Sequence, residues 1–482
     1  MLASFKTLKA AYLPVLVTYF AYGASGITSL AALYFQKDTL GITPAEAAAI
    51  AFWVGLPWSM KMVVGVASDV YPILGSRRKA YLLVGALCSL VGYLYLATGV
   101  SSKTAYLAAV VLVAVGFMIQ DVVADALSVE VAQTDEEIGH IQTLGRISLL
   151  VGTISVGYAS GVLTGFLGPR PVFLLGALLP IMVALAALFV RPSGRGVATR
   201  APAAREEGPL GGGRARLVLI GGLAYAAFSV GLEALAVPFA QEIVLAVSGA
   251  LIVLLLLRIG LSRAVAVSAF VIFLYRAVPS VGQGYTYWAI DRLKFDAEFL
   301  GLLAQVSSVL SLVGLVLFRK PIASRPVSFT ITWVSVASFI LYLPSIGLYY
   351  GVNEWLGLSP RTFAFIDTTI SAPLGQLAMV PMLVLIARTA PAGAEATMFA
   401  IMASLMNLAL SASELFTRYL NTTFAVTQES YEGLGRLMIT VGFLGLVPLL
   451  AVPLLRREEA RPAVSSVPAP EEPRAQSPSN AL

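Results

Sequence analysis

RPSGRGVATRAPAAREEGPLGGGR, residues 191–214, is the stretch that organises this chain. It mixes Pro, Gly, Arg and Glu with almost no large apolar side chain, which is the composition of a flexible connecting loop. On its N-terminal side lie six apolar runs, near residues 11–35, 45–67, 80–99, 104–130, 141–167 and 171–190. On its C-terminal side come two more, near 216–238 and 241–260, and then a second block of six near 264–290, 298–318, 328–349, 362–388, 394–424 and 434–455. Crossing a hydrocarbon core about 30 Å thick takes about 20 helical residues, and these runs are long and do not alternate as barrel strands do. The expectation is an all-α polytopic membrane protein. An N-terminal six-helix bundle occupies 1–190, a cytoplasmic loop 191–215, two central helices 216–260, a C-terminal six-helix bundle 261–456 and a disordered tail 457–482. That makes 14 spans, or 12 if the short central pair does not cross.

Composition agrees and excludes other classes. Only 12% of residues are charged and 58% are hydrophobic, with mean hydropathy +0.84, whereas a soluble chain has about a quarter charged. The net charge of +6 is scattered over short segments, so it makes no nucleic-acid face. Lys and Arg outside the runs crowd the side that holds both termini, the 68–79 loop and the interblock loop. That bias predicts cytoplasmic termini in the inner (plasma) membrane of the cell. One cysteine, Cys88, and one histidine, His140, leave no disulfide framework, no metal site and no Ser/His or H-E-x-x-H catalytic set, so neither an enzyme nor a cofactor is expected. No G-x-x-x-x-G-K-[ST] loop is present, so concentrative transport would draw on an ion gradient.

After the second run the chain reads GVASDVYPILGSRRKAY, residues 65–81. Gly65 would let helices approach, Asp69 ends the helix, and Gly75, Arg77 and Arg78 form a tight basic loop. This resembles the cytoplasmic gating signature of the major facilitator superfamily, lengthened by Val70, Tyr71 and Pro72. Two six-helix blocks joined by a cytoplasmic loop are also the pattern of that fold, whose cavity lies near the bilayer midplane between the halves. The lengthened form, S-D-x-x-P-x-x-G-x-R-R, resembles the folate-biopterin transporter family. So do GFMIQDVVADALSVEVAQ in the fourth run, FLYRAVPSVGQGYTYWAIDRLKFDAEFLG in the second block, and GQLAMVPMLVLIARTAPAGAEATMFAIMASLMN further on. Two departures are Lys61-Met62, where that family has Lys-Pro, and Lys79-Ala80-Tyr81, where it has a proline before the tyrosine. The resemblance implies a secondary active transporter of folates or related pterins working by alternating access, proton-coupled and monomeric. The alternative is the same fold carrying another amphipathic metabolite, a nucleoside-like compound or a drug.

A charge at the bilayer centre costs about 2.5–3.5 kcal/mol on insertion scales, so buried ones face a cavity and a partner. Asp121 and Asp125 lie four apart, about 40° from each other around one helix. They repel, so without a cation nearby one of the two keeps a proton. The cations flanked by apolar residues are Lys61, Arg146 and Arg276, expected to converge on the same cavity. A carboxylate can accept two hydrogen bonds from a 2-aminopyrimidinone edge, and Arg can grip a glutamate tail bidentately. Asp121 or Asp125 is therefore assigned to the ring, and Arg146 or Arg276 to the tail. Of the rings that could stack on a flat heterocycle, Trp53, Trp58, Tyr275, Tyr285, Tyr287 and Trp288, most read as lipid-facing or interfacial. In the second block Asp367, Gln376, Glu395, Asn407 and Glu414 read as inward-facing, with Gln376 and Glu395 first and Glu414 paired to Arg418 at i, i+4. Glu130 and the run Asp135-Glu136-Glu137 read as a solvated acidic face.

Overall fold

A computed structural model of the chain describes residues 9–73, 75–190, 212–259, 262–323, 325–374, 382, 385–386 and 395–460. The loop 191–211, the tail from 461, and Gln376 lie outside the described residues, and of Glu395 only the backbone is described. The N-terminal block runs α1 (Ala10–Thr39), α2 (Pro44–Val70), α3 (Lys79–Thr98), α4 (Lys103–Val131), α5 (Glu136–Leu167) and α6 (Pro169–Ala187). The central pair is α7 (Arg216–Ala234) and α8 (Ala240–Arg258). The C-terminal block follows as α9 (Arg263–Arg276), α10 (Gln283–Leu293), α11 (Ala297–Phe318), α12 (Val327–Tyr349), α13 (Pro360–Ser371), α14 (Glu395–Thr423) and α15 (Leu434–Glu459). Among the described residues 12 helices are long and apolar enough to cross a membrane, and both central ones are of that kind. Of the 14 expected spans, 264–290 is divided into α9 and α10, and 362–388 begins as α13 and then passes out of the described residues.

The division between α9 and α10 has a local cause. In 277–282, AVPSVG, Pro279 has no N–H to give a helix, and Gly282 sits at φ 63°, open to glycine at little cost. The backbone groups so released are taken by α14. Thr417 Oγ1 accepts from the Ser280 N–H at 2.9 Å, Asn421 Nδ2 donates to the Val281 carbonyl at 3.1 Å, and Ser413 Oγ to that of Val278 at 2.6 Å. Irregular backbone survives at membrane depth only when it is satisfied in this way. The start of α2 is fixed by chain chemistry too. Thr43 and Glu46 form a reciprocal capping box with Pro44 at the first helical position.

Small residues set the packing. Gly23 lies against the Leu149 backbone and Gly152 against that of Phe20, bringing α1 onto α5, while Gly85 and Gly116 do the same for α3 and α4. The two blocks meet along two seams, α5 with α11 and α2 with α14. In the first seam Gly161 faces Gly301 so closely that a Cβ on Gly161 would come within 2.9 Å of the Gly301 Cα. The small-x-x-x-small pair Gly157 and Gly161 thus joins the blocks, with Gln305 Oε1 accepting from the Tyr158 N–H at 3.1 Å. Helix α7 packs on α2, where Gly222 meets Val63, and α8 packs on α14, so the central pair lies along the α2–α14 seam.

Candidate functional site

Helix α4 is apolar apart from one polar face, and on it stand Asp121 and Asp125. Asp121 is buried and held by Lys61 Nζ from α2, and the same ammonium lies 4.8 Å from the centroid of the Trp58 ring. Asp125 accepts from the Tyr19 hydroxyl of α1. Over the other side of Tyr19 lies Arg146 of α5, 6.0 Å from the ring centroid, exposed and with no ion pair among the described residues. Four helices therefore bring Tyr19, Lys61, Asp121, Asp125 and Arg146 into one polar line through an apolar bundle. Beside it, Trp58 lies 5.2 Å from Tyr22, which lies 6.0 Å from Phe117. These rings, with Ser25, Thr28 and Val113, line a cavity of about 260 Å³.

Of the two aspartates, Asp121 is neutralised by Lys61, one of the cations expected near it, which leaves Asp125 with a neutral phenol. Arg276 stands apart in the other block, at the last turn of α9 before the 277–282 break. Most of the aromatic rings do not face lipid. Trp53, Tyr287 and Trp288 are buried in the protein interior, and only Trp58 of the six borders the cavity. Tyr19 and Tyr22 escaped the sequence reading, although their spacing of three on α1 puts both hydroxyls on one helix face. In the second block Asn407 does face inward, donating to the Trp58 carbonyl across the seam at 3.0 Å. Asp367 is held by Ser345 Oγ at 2.7 Å. Glu414 does not pair with Arg418, whose Nη1 turns instead to Gln241 Oε1 of α8 at 2.9 Å.

At the end of the bundle that holds Ala10 and Glu459, buried Arg78 gathers the charged residues of the 65–78 motif. Its Nη2 donates to Asp69 at 2.6 Å, its Nη1 to Ser68 Oγ at 2.6 Å and its Nε to Glu130 at 2.8 Å. Burial works against the guanidinium charge, yet Glu130 and Asp69 together hold the Arg78 pKa above its ordinary value. Glu130 is thus part of this cluster while 41% of its side chain stays in solvent. Glu137 likewise accepts from Lys9 at 2.7 Å and from Tyr12. Arg77 is exposed, and Gly75 takes φ 74° in the turn. Gly65 is not needed for close packing, since a Cβ there would sit 3.8 Å from Val122, an ordinary contact.

Polar contacts between the blocks gather toward the opposite end. Lys37 and Asp291 form an ion pair at 2.7 Å, and Gln428 Nε2 donates to the Ile42 carbonyl at 2.9 Å; within the C-terminal block Tyr431 Oη donates to Asp291 at 2.5 Å and steadies it. Tyr158 Oη donates to Glu298 at 2.5 Å. Among the described residues no polar contact joins the blocks at the end that holds Ala10 and Glu459. Lys37 and Asp291 were not singled out in the sequence because each borders a loop, where charge is ordinary.

The BT1 family matches this chain over residues 23–466. The folate-biopterin transporter of Synechocystis sp. is 31% identical over 92% of this chain and 81% of its own length. Folate transporter 2 of Plasmodium falciparum is 23% identical over 95% of this chain and 91% of its own. Among solved structures, a POT family transporter in complex with 5-aminolevulinic acid superposes with TM-score 0.66 at 14% identity, covering 94% of this chain and 96% of the other. The nucleoside transporter NupG does so with TM-score 0.63 at 12% identity over 94% and 100%. The two structures speak for the fold alone, a transporter fold of the major facilitator type, while the family match runs from the first helix past the last: the chain belongs to the BT1 family, that of the folate-biopterin transporters.

Proposed function

We propose that this protein is a secondary transporter of a folate or pterin, with the heterocycle bound against the wall formed by Tyr22, Trp58 and Phe117 and the anionic tail on Arg146. The observation that carries this reading is the polar line Lys61–Asp121, Tyr19–Asp125, Arg146 running beside an aromatic-lined cavity. A cavity of about 260 Å³ is just under the roughly 300–1,000 Å³ of drug-sized sites, so it takes one bicyclic ring and leaves the rest of a folate outside. Arg146, exposed and without an ion pair among the described residues, is the group able to meet a carboxylate with two parallel N–H donors. The names of the relatives support this substrate class.

Asp125 is the proton carrier in this reading. Its partner is a neutral hydroxyl, so it binds and releases a proton without stranding a cation, whereas protonating Asp121 would leave Lys61 uncompensated. The contacts gathered at one end, Lys37–Asp291 above all, correspond to a state closed at that end, and alternating access requires them to part. Sidedness follows from the Lys and Arg bias, which puts the closed end outside the cytoplasm and the termini within it. The test is uptake of labelled folate, free pterin and p-aminobenzoylglutamate into proteoliposomes with and without an inward proton gradient. Saturable uptake of folate and pterin, raised by the gradient and lost in Asp125→Asn, is expected. Absence of saturable uptake of any pterin would remove the reading.

A further inference from the structure

At the end of the bundle away from the termini, a second cavity of about 520 Å³ lies between the start of α2, the turn joining α7 to α8, and the last turns of α14. Glu46, Glu233, Gln241 and Arg418 line it, with Phe239 of the turn. None of them touches the aromatic cavity or the polar line beside it. Their charges are unequally used. Glu46 is held by Lys103 at 2.6 and 2.7 Å. Arg418 spends one nitrogen on Gln241, and Glu242 is 4.0 Å from that same nitrogen, which leaves the other donors of a 40% exposed guanidinium free to turn outward. Glu233 is exposed and makes no ion pair among the described residues.

We propose that this cavity binds the head group of a zwitterionic phospholipid carrying a primary amine, its phosphate on Arg418 and its ammonium on Glu233. With Glu46 already paired to Lys103, one cation and one anion remain and match a zwitterion, whereas a purely anionic head group leaves Glu233 with no ammonium to meet. The position is right for a lipid, at a helix end where head groups lie. The site is built and not incidental. Gln241, only 4% exposed, bridges Arg418 to the Ala49 carbonyl, at 2.9 Å on each side, and fixes the guanidinium in place.

The turn supplies a second, independent observation. Ala236 and Phe239 sit at φ 49° and 60°, a conformation that residues with side chains rarely adopt, and one that is costly for a bulky ring. The strain holds the Phe239 ring 69% exposed beside the cavity, where an acyl chain would cover it. The lining comes from the N-terminal block, the central pair and the C-terminal block together. A bound head group therefore favours the state in which the blocks meet at this end, by as much as its affinity differs between states.

The test is native mass spectrometry of the detergent-purified, delipidated protein titrated with phosphatidylethanolamine, phosphatidylcholine and phosphatidylglycerol, and with soluble phosphoethanolamine as competitor. Phosphatidylethanolamine should be retained about tenfold or more in preference to the other two, and Arg418→Ala and Glu233→Gln should each weaken it by about tenfold. Competition by phosphoethanolamine marks a head-group site; its failure, with lipid still retained, overturns the assignment to head-group charges. Phe239→Gly should raise the thermal stability of the lipid-free protein while lowering lipid retention, a pair of opposite signs that a folding defect cannot produce. Equal binding of the three lipids, or retention indifferent to both Arg418→Ala and Glu233→Gln, would overturn the proposal.

Discussion

Asp121 owes its burial to Lys61, and the dependence can be measured. Removing one partner strands a buried acceptor, which costs about 1–3 kcal/mol, the lower end applying here because Lys61 keeps 35% of its side chain in contact with solvent. Lys61→Met should therefore lower thermal stability, and Lys61→Met with Asp121→Leu should recover most of the loss, since two apolar side chains replace a pair and leave nothing unpaired. Asp296, just ahead of α11, gives a pH-dependent case. Burial pushes its carboxyl upward, but the Phe299 N–H at 2.8 Å and Arg361 at 2.5 Å outweigh that and hold its pKa below the usual 3.8. A depressed folded-state pKa stabilises above the unfolded value and loses that stability as pH falls through the folded one. Acid melts below about pH 4 should show a smaller decline in Asp296→Asn than in the parent chain, and the difference will be small because the pair is half exposed. At this scale the sequence carried the charged residues of the site, because a charge in an apolar run is conspicuous. It hid Tyr19, Tyr22, Lys37 and Asp291, since a tyrosine is common in spans and a charge near a loop is common anywhere.

The helix elements were legible where the run was continuous and misread where it was not. Residues 264–290 are apolar enough throughout to read as one span, yet Pro279 and Gly282 stop the helix and α14 supplies hydrogen bonds that no local pattern announces. Gly282→Ala should cost about 1 kcal/mol or more, from positive φ and from a Cβ placed 2.9 Å from Thr417 Cγ2, readable as a lowered melting temperature. If Gly282→Ala melts with the parent protein, the break is not held as described. The 65–78 motif shows the converse. Its residues were evident from spacing, but Glu130, 52 positions from Arg78, joins them only through the packing of α4 against α2.

In the whole molecule the two-block architecture follows from hydrophobic runs separated by one polar loop, and the order of the spans could be read before any coordinate. What periodicity cannot supply is which helices form the seams, because Gly161 meets Gly301 and Asn407 meets Trp58 across more than a hundred residues of chain. If the contacts at the end away from the termini are a gate, Asp291→Asn should loosen it. A cysteine placed there should then react several-fold faster with a membrane-impermeant thiol reagent, while a cysteine near Arg78 reacts more slowly. Equal rates in parent and variant would detach Lys37–Asp291 from any gating role. In the proposed transport cycle, ring and tail are held by different groups along the line from Trp58 to Arg146. Competitive uptake of folate and of tail-less pterin by Arg146→Gln measures it most directly. Loss of a bidentate charged contact predicts folate uptake reduced about ten- to a hundredfold with pterin uptake nearly unchanged. Equal loss of both, or of neither, would contradict it.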